Sequence, residues 1–260
     1  MYKHRILEFS GAKISYYIKN SSGSAVVFCH GDAQNHTAGL DILGIFPDRY
    51  TKLAIDRPGH GRSSFLQKRT IENECDIIEK IIKKEGIKEV ILVGHSSGAV
   101  IASSYIVKRK VKCLVLINPF FMNPRKVFWY LPIKFMERIY LKNAKGKYNP
   151  KLPYHYFGKE KTEEEVHSKA FVHTPHEVLE QNLNLFEGYD VRKEMQNLKC
   201  PVLIVQSTKG LISTYKHVNK VSRNMQSVMT ENISGTHNAH LTSKKEVEDS
   251  IRKNLNFLMS

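Results

Sequence analysis

The amino-acid sequence predicts an α/β fold, with a mostly parallel twisted sheet, helices on both faces of the sheet and a helical cap insertion. Two observations lead to this prediction. Along most of the chain, short apolar runs that suit buried strands alternate with amphipathic helical segments, a pattern typical of parallel sheets. Between residues 119 and 190 the alternation stops and aromatic residues become frequent. We therefore expect a core formed by residues 1–118 and 191–260, and a helical cap formed by residues 119–190.

The first half of the chain follows this pattern element by element. Two short alternating segments, "RILEFS" and "KISYYIKN", predict an antiparallel hairpin that turns at Gly11. Buried strands are predicted at "SAVVFCHG", "YTKLAID" and "VILVG", and again at "VKCLVLINP", which ends at Pro119. A helix is predicted from Ile71 to Lys84, because its apolar residues recur every three or four positions on one face.

The second half contains the insertion and the rest of the core. The strand pattern resumes at "CPVLIVQS" and is followed by a helix near residues 215–224, the strand "SVMTENIS" and a closing helix over residues 243–258. The aromatic residues of the insertion form a small core for the cap, line a substrate pocket, or do both. They are Phe128, Trp129, Tyr130, Phe135, Tyr154, Tyr156 and Phe157.

Length and composition favour a single large core in the cytoplasm. A chain of 260 residues with 41% hydrophobic residues can bury one such core. The opening residues, "MYKHRILEFSGAK", contain no apolar export signal, and no apolar run approaches the roughly 18 residues of a membrane span. We therefore expect a cytoplasmic protein with no membrane-spanning segment.

The strongly basic composition has two interpretations. A formal net charge of +15 suits binding to nucleic acid, a membrane surface or an anionic substrate. The basic residues are nevertheless spread through the chain, and no nucleic-acid-binding motif accompanies them. We interpret the charge as compositional bias and expect no nucleic-acid partner; no pattern indicates an oligomeric state.

Cysteine and histidine spacing argues against disulfides and metals. The four cysteines are widely separated, and we interpret them as reduced residues, mostly in the core. Two His-x-x-His pairs, at His173 and His176 and at His237 and His240, have no neighbouring cysteine or carboxylate to complete a zinc site. We expect neither a metal nor another cofactor.

The segment "ILVGHSSGAV" is the strongest candidate for a catalytic motif. A nucleophile elbow needs a buried strand that stops abruptly, a nucleophile in a strained turn and a helix that starts at once. Ser96 lies between an apolar strand and a segment rich in small residues, and Gly94 and Gly98 flank it at the positions where a side chain would collide with the backbone. The context therefore favours Ser96 as a nucleophile rather than as a serine in an ordinary turn.

In their order along the chain, these features resemble the α/β-hydrolase fold family over nearly the whole sequence. The matching pieces are His30-Gly31 after an early strand, "DRPGHGRSS" after the next, the turn at Ser96, the cap insertion, "PVLIV", and "SGTHNAH" before the last helix. Lid-bearing esterases, thioesterases and carbon–carbon bond hydrolases look most similar.

The resemblance implies roles for individual residues. Ser96 matches the nucleophile and His237 the general base, with His240 as the competing histidine. A neighbouring imidazole is needed because a serine hydroxyl is too weakly ionised near neutral pH to attack an acyl carbon. The family's oxyanion hole implies the backbone N–H groups of Asp32 and Ser97 as donors. The Asp32 side chain would oppose the developing negative charge unless it turns away, or holds a water or a cationic substrate group.

The acid of the catalytic triad is the point at which the sequence departs from the family. That acid usually follows the strand written "PVLIV" here, but Gly210 stands in its position. Some members place the acid after the strand before the cap, where this chain has Asn118, whose amide oxygen is able to orient a histidine. The alternatives are a carboxylate from elsewhere, such as Asp32 or Asp190, or an incomplete triad. Asp190 also suits a helix N-cap.

Three functions are compatible with these residues. The first is a serine hydrolase that cleaves an ester or thioester of a small to medium acyl substrate under a lid, through an acyl-enzyme on Ser96. The second is a carbon–carbon bond hydrolase or lyase on the same scaffold, in which Ser96 and His237 transfer protons. The third is a catalytically degenerate member that binds a ligand without turning it over, as Gly210 at the acid position would suggest.

Overall fold

The computed structural model describes residues 1–21, 23–123, 133–152, 154–209 and 215–259, with the backbone alone for residues 133–137. Within these residues the strands are β1 (Lys3–Phe9), β2 (Ala12–Lys19), β3 (Ala25–Cys29), β4 (Thr51–Ile55), β5 (Val90–His95), β6 (Cys113–Ile117), β7 (Val202–Ser207) and β8 (Val228–Ile233). They form one sheet in the order β1-β2-β4-β3-β5-β6-β7-β8. The pairs β1–β2 and β2–β4 are antiparallel, and the other neighbours are parallel.

Helices cover both faces of the sheet. They are α1 (Leu40–Ile45), α2 (Ile71–Lys84), α3 (Ser97–Lys108), α4 (Ile133–Ala144), α5 (Glu163–His173), α6 (His176–Asn184), α7 (Arg192–Gln196), α8 (Tyr215–Ser222), α9 (Ala239–Thr242), α10 (Lys244–Lys253) and α11 (Leu255–Met259). Successive residues of a central strand enter opposite cores: Val27 packs with α2 and α3, whereas Val26 packs with α1 and α10. Burial on both faces explains the uninterrupted apolar runs of the central strands.

The predicted fold class is confirmed, and most predicted elements lie where the sequence placed them. The helix predicted from Ile71 to Lys84 has these bounds, and the Thr70 hydroxyl caps it by accepting from the Asn73 N–H at 3.1 Å. The closing helix, predicted as one piece, is interrupted at Asn254. There the side-chain amide donates to the Ser250 carbonyl at 2.8 Å and to the Glu231 carboxylate at 3.0 Å.

The segment from residue 119 to residue 190 carries helices α4, α5 and α6. An isolated antiparallel bridge between Met122 and Asp190 joins its two ends. The division into core and cap at residues 119 and 190 remains a prediction. Of the predicted cap aromatics, Phe128, Trp129 and Tyr130 lie outside the described residues, as does the side chain of Phe135.

Three hydrogen bonds connect this segment to the loop after β3. The Asn35 amide donates to the His155 carbonyl at 2.9 Å, and the Thr37 hydroxyl accepts from the Phe157 N–H at 2.8 Å. The Tyr154 hydroxyl lies 2.8 Å from Nδ1 of His36. Because most of these groups are buried, the bonds fix the position of the segment on the core.

The structure also places the cysteines and the candidate metal ligands. No helix in the described ranges is long and apolar enough to cross a membrane. Cys29, Cys75 and Cys113 are buried free thiols, and Cys200 is a partly buried one. Within those ranges, no group of three or more His, Cys, Asp or Glu side chains is arranged to hold a metal ion.

Candidate active site

Ser96 lies in a strained turn between β5 and α3. Its backbone has φ 52° and ψ −119°, a conformation that side-chain-bearing residues rarely adopt and that clusters at functional sites. The flanking glycines make the turn possible. A Cβ atom on Gly98 would lie 2.1 Å from the Cys29 carbonyl oxygen, and one on Gly94 would lie 2.5 Å from the Gly98 oxygen. The helix therefore starts against the end of β3, and the Ser96 side chain is presented at the carboxyl edge of the sheet.

His237 reaches Ser96 from the loop between β8 and α9. Its Nε2 lies 2.7 Å from Oγ of Ser96, within hydrogen-bond distance. Burial lowers the pKa of His237 to about 4, although the nearby Glu163 carboxylate opposes that shift. The ring is therefore neutral at pH 7 and able to accept the Ser96 proton. Its other nitrogen, Nδ1, has no hydrogen-bond partner among the residues that the structure describes.

The competing histidine, His240, lies beneath the loop and makes no hydrogen bond to Ser96. Its ring is buried, with its centroid 3.8 Å from that of His95. Burial lowers the pKa of His240 to about 3. Neither ring nitrogen has a partner in the described part of the chain. The structure therefore brings His237, not His240, to Ser96.

The backbone carbonyl of His237 is held from two sides. It accepts a hydrogen bond from Nε2 of His95 at 2.9 Å and another from Nδ2 of Asn118 at 2.7 Å. His95 comes directly before Ser96, and Asn118 directly follows β6. The ends of β5 and β6 therefore both hold the loop that carries His237.

Asn118 is close to His237, but its contact differs from the one expected. The sequence suggested that its amide oxygen orients the imidazole ring. That oxygen instead accepts from the Ser207 N–H at 2.7 Å, and the amide nitrogen contacts the His237 backbone and the Ser207 hydroxyl. Because the ends of β6 and β7 are adjacent, the Ser207 N–H lies next to the Asn118 amide oxygen and donates to it. Asn118 thus positions the loop rather than the ring.

The expected oxyanion donors, Asp32 and Ser97, are joined through their side chains. The Ser97 hydroxyl donates to Oδ1 of Asp32 at 2.6 Å. Neither backbone N–H donates a hydrogen bond within the described chain, so both are free to bind an oxyanion. The Asp32 carboxylate accepts the hydrogen bond of the Ser97 hydroxyl and also lies 3.8 Å from the Arg57 guanidinium.

Asp32 belongs to a group of four charges, which we call the Arg57 cluster: the partly exposed Asp32 and the buried side chains of Arg57, Arg69 and Glu74. Arg57 donates to the Ser97 hydroxyl at 2.6 Å and lies 3.8 Å from the Asp32 carboxylate. It also pairs with Glu74 at 2.6 Å, and Arg69 pairs with the same carboxylate at 2.7 Å. Burial opposes ionisation of Glu74, but the two guanidinium groups lower its pKa to about 2. The cluster has two positive and two negative members, so the charge of Asp32 is compensated.

The remaining candidates for the triad acid do not reach His237 in the described structure. Asp190 is half-exposed, pairs with the Arg192 side chain at 2.7 Å and accepts from the Arg192 N–H at 3.2 Å. The N-cap of α7 is Val191, one residue after the position that the sequence suggested. Gly210 lies outside the described residues.

A carboxylate that sequence reasoning missed lies beside the histidine loop. Glu163, the first residue of α5, accepts from the Asn238 N–H at 2.7 Å, from the Asn238 amide at 2.6 Å and from the Thr236 hydroxyl at 2.5 Å. These partners flank His237 on both sides. In the sequence, "TEEEV" has only the appearance of a helix start, with Thr162 as the N-cap.

A cavity of about 260 Å³ separates the loop after β3 from the 119–190 segment. Its lining is mixed polar and aromatic, and includes Asn35, Tyr148, Tyr154, His155, Phe157 and His173. Tyr154 and Phe157 line this cavity, whereas Tyr156 is 62% exposed. Neither Ser96 nor His237 lines it, so a substrate pocket formed by the cap aromatics remains a prediction.

Comparison with known proteins identifies the family. A family model described as the alpha/beta hydrolase fold matches residues 24–227. The chain belongs to this family. The match confirms the resemblance inferred from the motif order, and it includes the Ser96 turn.

Individual relatives of this alpha/beta hydrolase are distant. The chain is 30% identical over 122 residues to the dihydrolipoyllysine-residue acetyltransferase component of the acetoin cleaving system of Cupriavidus necator, which covers 45% of this chain and 32% of that protein. It is 28% identical over 98 residues to putative esterase/lipase 2 of Mycoplasma pneumoniae, covering 36% of this chain and 37% of that protein. The chain thus matches only about a third of the length of these relatives. The solved enol-lactonase of Burkholderia xenovorans shares the fold, with a TM-score of 0.78 at 15% identity over 98% of this chain and 100% of that one.

Proposed function

We propose that this alpha/beta hydrolase is a serine hydrolase that cleaves an ester or thioester of a small to medium acyl substrate. The observation that carries the proposal is the 2.7 Å contact between Oγ of Ser96, in its strained turn, and Nε2 of a neutral His237. A nucleophile within hydrogen-bond distance of its base is the arrangement that covalent acyl transfer requires.

The reaction follows from these groups. His237 takes the proton of Ser96 as the serine oxygen attacks the acyl carbon, and the oxyanion is stabilised by the N–H groups of Asp32 and Ser97. The imidazolium then gives its proton to the leaving alcohol or thiol, which leaves an acyl group on Ser96. Water activated by the same histidine releases the acid in the second half-reaction.

Two further observations support the substrate class. A cavity of about 260 Å³ lies beside the loop that carries Asp32, although neither Ser96 nor His237 lines it, and it is at the small end of ligand pockets, which typically have about 300–1,000 Å³. One of the relatives carries the name putative esterase/lipase. The name supports ester hydrolysis, and the small cavity volume agrees with a small to medium acyl group.

A fluorophosphonate probe tests the proposal directly. We expect labelling of the intact protein at Ser96, found by mass spectrometry of the digest, and loss of labelling in Ser96→Ala. Ser104→Ala, on the same helix α3, is the matched control and is expected to label normally. Labelling at Ser97, or no labelling of a sample with native circular dichroism, would contradict the assignment.

One observation favours the degenerate ligand-binding member as a second candidate. His237 lacks a partner for Nδ1 among the described residues, and loss of the triad acid lowers the rate by about ten-thousand-fold in well-studied serine enzymes. Tight binding of short-chain carboxylates without turnover or probe labelling would favour this candidate. A pre-steady-state burst on a nitrophenyl ester would favour the acyl-enzyme over proton-transfer chemistry of the carbon–carbon type.

A further inference from the structure

We propose that Glu163 takes over part of the work of a triad acid, which no described residue performs at His237 Nδ1, as a positioning residue that fixes the His237 loop and supplies a negative charge beside it. The inference rests on the proposed function, because it assigns Glu163 to the base of that reaction. It also makes the base depend on a residue of the 119–190 segment, outside the sheet that carries Ser96.

The first argument is the geometry of the loop. The two oxygens of Glu163 accept three hydrogen bonds, all from Thr236 and Asn238. His237, between them, has its carbonyl held on the opposite side by His95 and Asn118. The loop is therefore held from the segment and from the core at once. Charge-assisted bonds of this kind are about twice as strong as neutral ones.

The second argument is charge. Burial works against ionisation of Glu163, but the bonds from Thr236 and Asn238 lower its pKa, so it is a carboxylate at neutral pH. Of the groups that act on His237, Glu163 raises its pKa, whereas burial and His167 lower it. A triad acid does the same through a hydrogen bond to Nδ1; here the charge acts through space.

The other titratable groups around the ring do not supply this charge. His95, on β5, and His240, on α9, face His237, and burial lowers the pKa of both, so both are neutral at pH 7. His167, one turn along α5, lies 3.8 Å from Glu163 and would add positive charge if protonated. Glu160 acts on His240 and pairs with Lys169 at 2.5 Å. Among these groups, Glu163 is the carboxylate that contacts the loop.

The experiment is an NMR titration of the His237 ring in the full chain, with its signal assigned by its absence in His237→Ala. We expect Glu163→Gln, which keeps an accepting oxygen but removes the charge, to lower the pKa of His237 below that of the wild type. The matched control is Glu164→Gln, which removes an exposed charge one residue away on the same helix. Equal pKa values in the wild type and Glu163→Gln overturn the proposal.

A kinetic measurement separates charge from folding and from the proposed function. On a nitrophenyl ester we expect Glu163→Gln to lower kcat/KM by about tenfold, because His237 becomes a weaker proton acceptor. We also expect the acid limb of the kcat/KM–pH profile to move to lower pH. If Glu163→Gln does not fold, Glu163→Asp replaces it: we expect an unchanged pKa of His237 with reduced kcat/KM, and an unchanged kcat/KM overturns the proposal. A shifted titration in a protein with no esterase activity or probe labelling would refute the proposed function but leave the positioning role standing.

Discussion

The side-chain amide of Asn118 and the backbone carbonyl of His237 form a 2.7 Å hydrogen bond, and His95 donates to the same carbonyl at 2.9 Å. The bond links the end of β6 to the loop of the candidate base without touching its ring. It therefore separates two functions that one acid serves in an ordinary triad: holding the histidine in place and stabilising its charge.

The first prediction concerns this bond. Asn118 has φ 49°, so Asn118→Gly removes the amide without forcing a Cβ-bearing residue into a left-handed conformation. We expect kcat/KM on a nitrophenyl ester to fall by about a hundredfold, the effect of moving a catalytic group by roughly 1 Å. Asn197→Gly, at the surface end of α7, serves as the control. Unchanged kcat/KM in folded Asn118→Gly would show that His95 and Glu163 hold the loop without Asn118.

The two histidines of the "HNAH" segment should differ sharply. Because His237 contacts Oγ of Ser96 and His240 does not, His237→Ala should lower kcat/KM by at least about a hundredfold, the scale of general-base catalysis. His240→Ala should have a much smaller effect, measured under the same conditions and corrected for the folded fraction by circular dichroism. The reverse ranking would reassign the base.

The pH dependence of the reaction should have an unusually low acid limb. A general base works in its neutral form, and burial lowers the pKa of His237 to about 4. We expect kcat/KM to stay nearly constant from pH 7 to pH 5 and to fall by half near pH 4 in short assays on protein verified as folded. If kcat/KM instead falls to half near pH 6.5, the ordinary pKa of histidine, the His237 ring is exposed to solvent in the free enzyme.

The negative charge of Asp32 should slow acyl transfer slightly. Asp32→Asn keeps an oxygen that accepts from the Ser97 hydroxyl but removes the carboxylate beside the oxyanion N–H groups. We expect kcat/KM on a neutral ester to rise by up to about fivefold, because a partly exposed charge contributes no more than ~1 kcal/mol. Asp48→Asn, fully exposed and remote, is the control. A large loss of activity limited to cationic esters would instead indicate that Asp32 binds a cationic substrate group.

Acid should destabilise the fold through the buried histidines. Below pH 6.5 the unfolded chain binds a proton at His240, whereas the folded protein does so only near its pKa of about 3. Stability is therefore complete above pH 6.5 and falls as the pH drops towards 3, by about 1.4 kcal/mol per pH unit for this residue. His240→Phe should reduce the slope by that amount in urea titrations between pH 6 and pH 4. Val107→Phe, at an exposed position of α3 that does not titrate, should leave the slope unchanged.

Local sequence was enough to propose Ser96 as the nucleophile because the requirements of such a turn are local. Ser96, Gly94 and Gly98 lie within five residues, and the collisions that make both glycines necessary involve the turn itself and the neighbouring strand end. The buried strands were equally readable, since burial on both faces leaves a continuous apolar run. His237 was chosen over His240 by its distance from the closing helix, and it is the one that reaches Ser96.

The positioning of the base could not be predicted in this way. Glu163 lies 75 residues from its partner Asn238, and nothing near it in the sequence distinguishes it from Glu164 or Glu165. The place of Asn118 at a strand end was foreseen, but its bonding depends on which neighbour reaches each amide atom, and Ser207 on β7 reaches the oxygen. Which neighbour a side chain bonds is decided by tertiary packing, and local sequence does not show it.

The Arg57 cluster has an evolutionary consequence. Arg57, Arg69 and Glu74 have buried side chains, so replacing any one of them would leave an uncompensated ion in the interior, a change that typically costs about 3–5 kcal/mol. Drift at positions 57, 69 and 74 should therefore proceed by coupled exchanges, whereas the partly exposed position 32 should change more freely. In an alignment of descendants of this chain, positions 57, 69 and 74 should be inherited together, even though they are distributed over a loop and a helix.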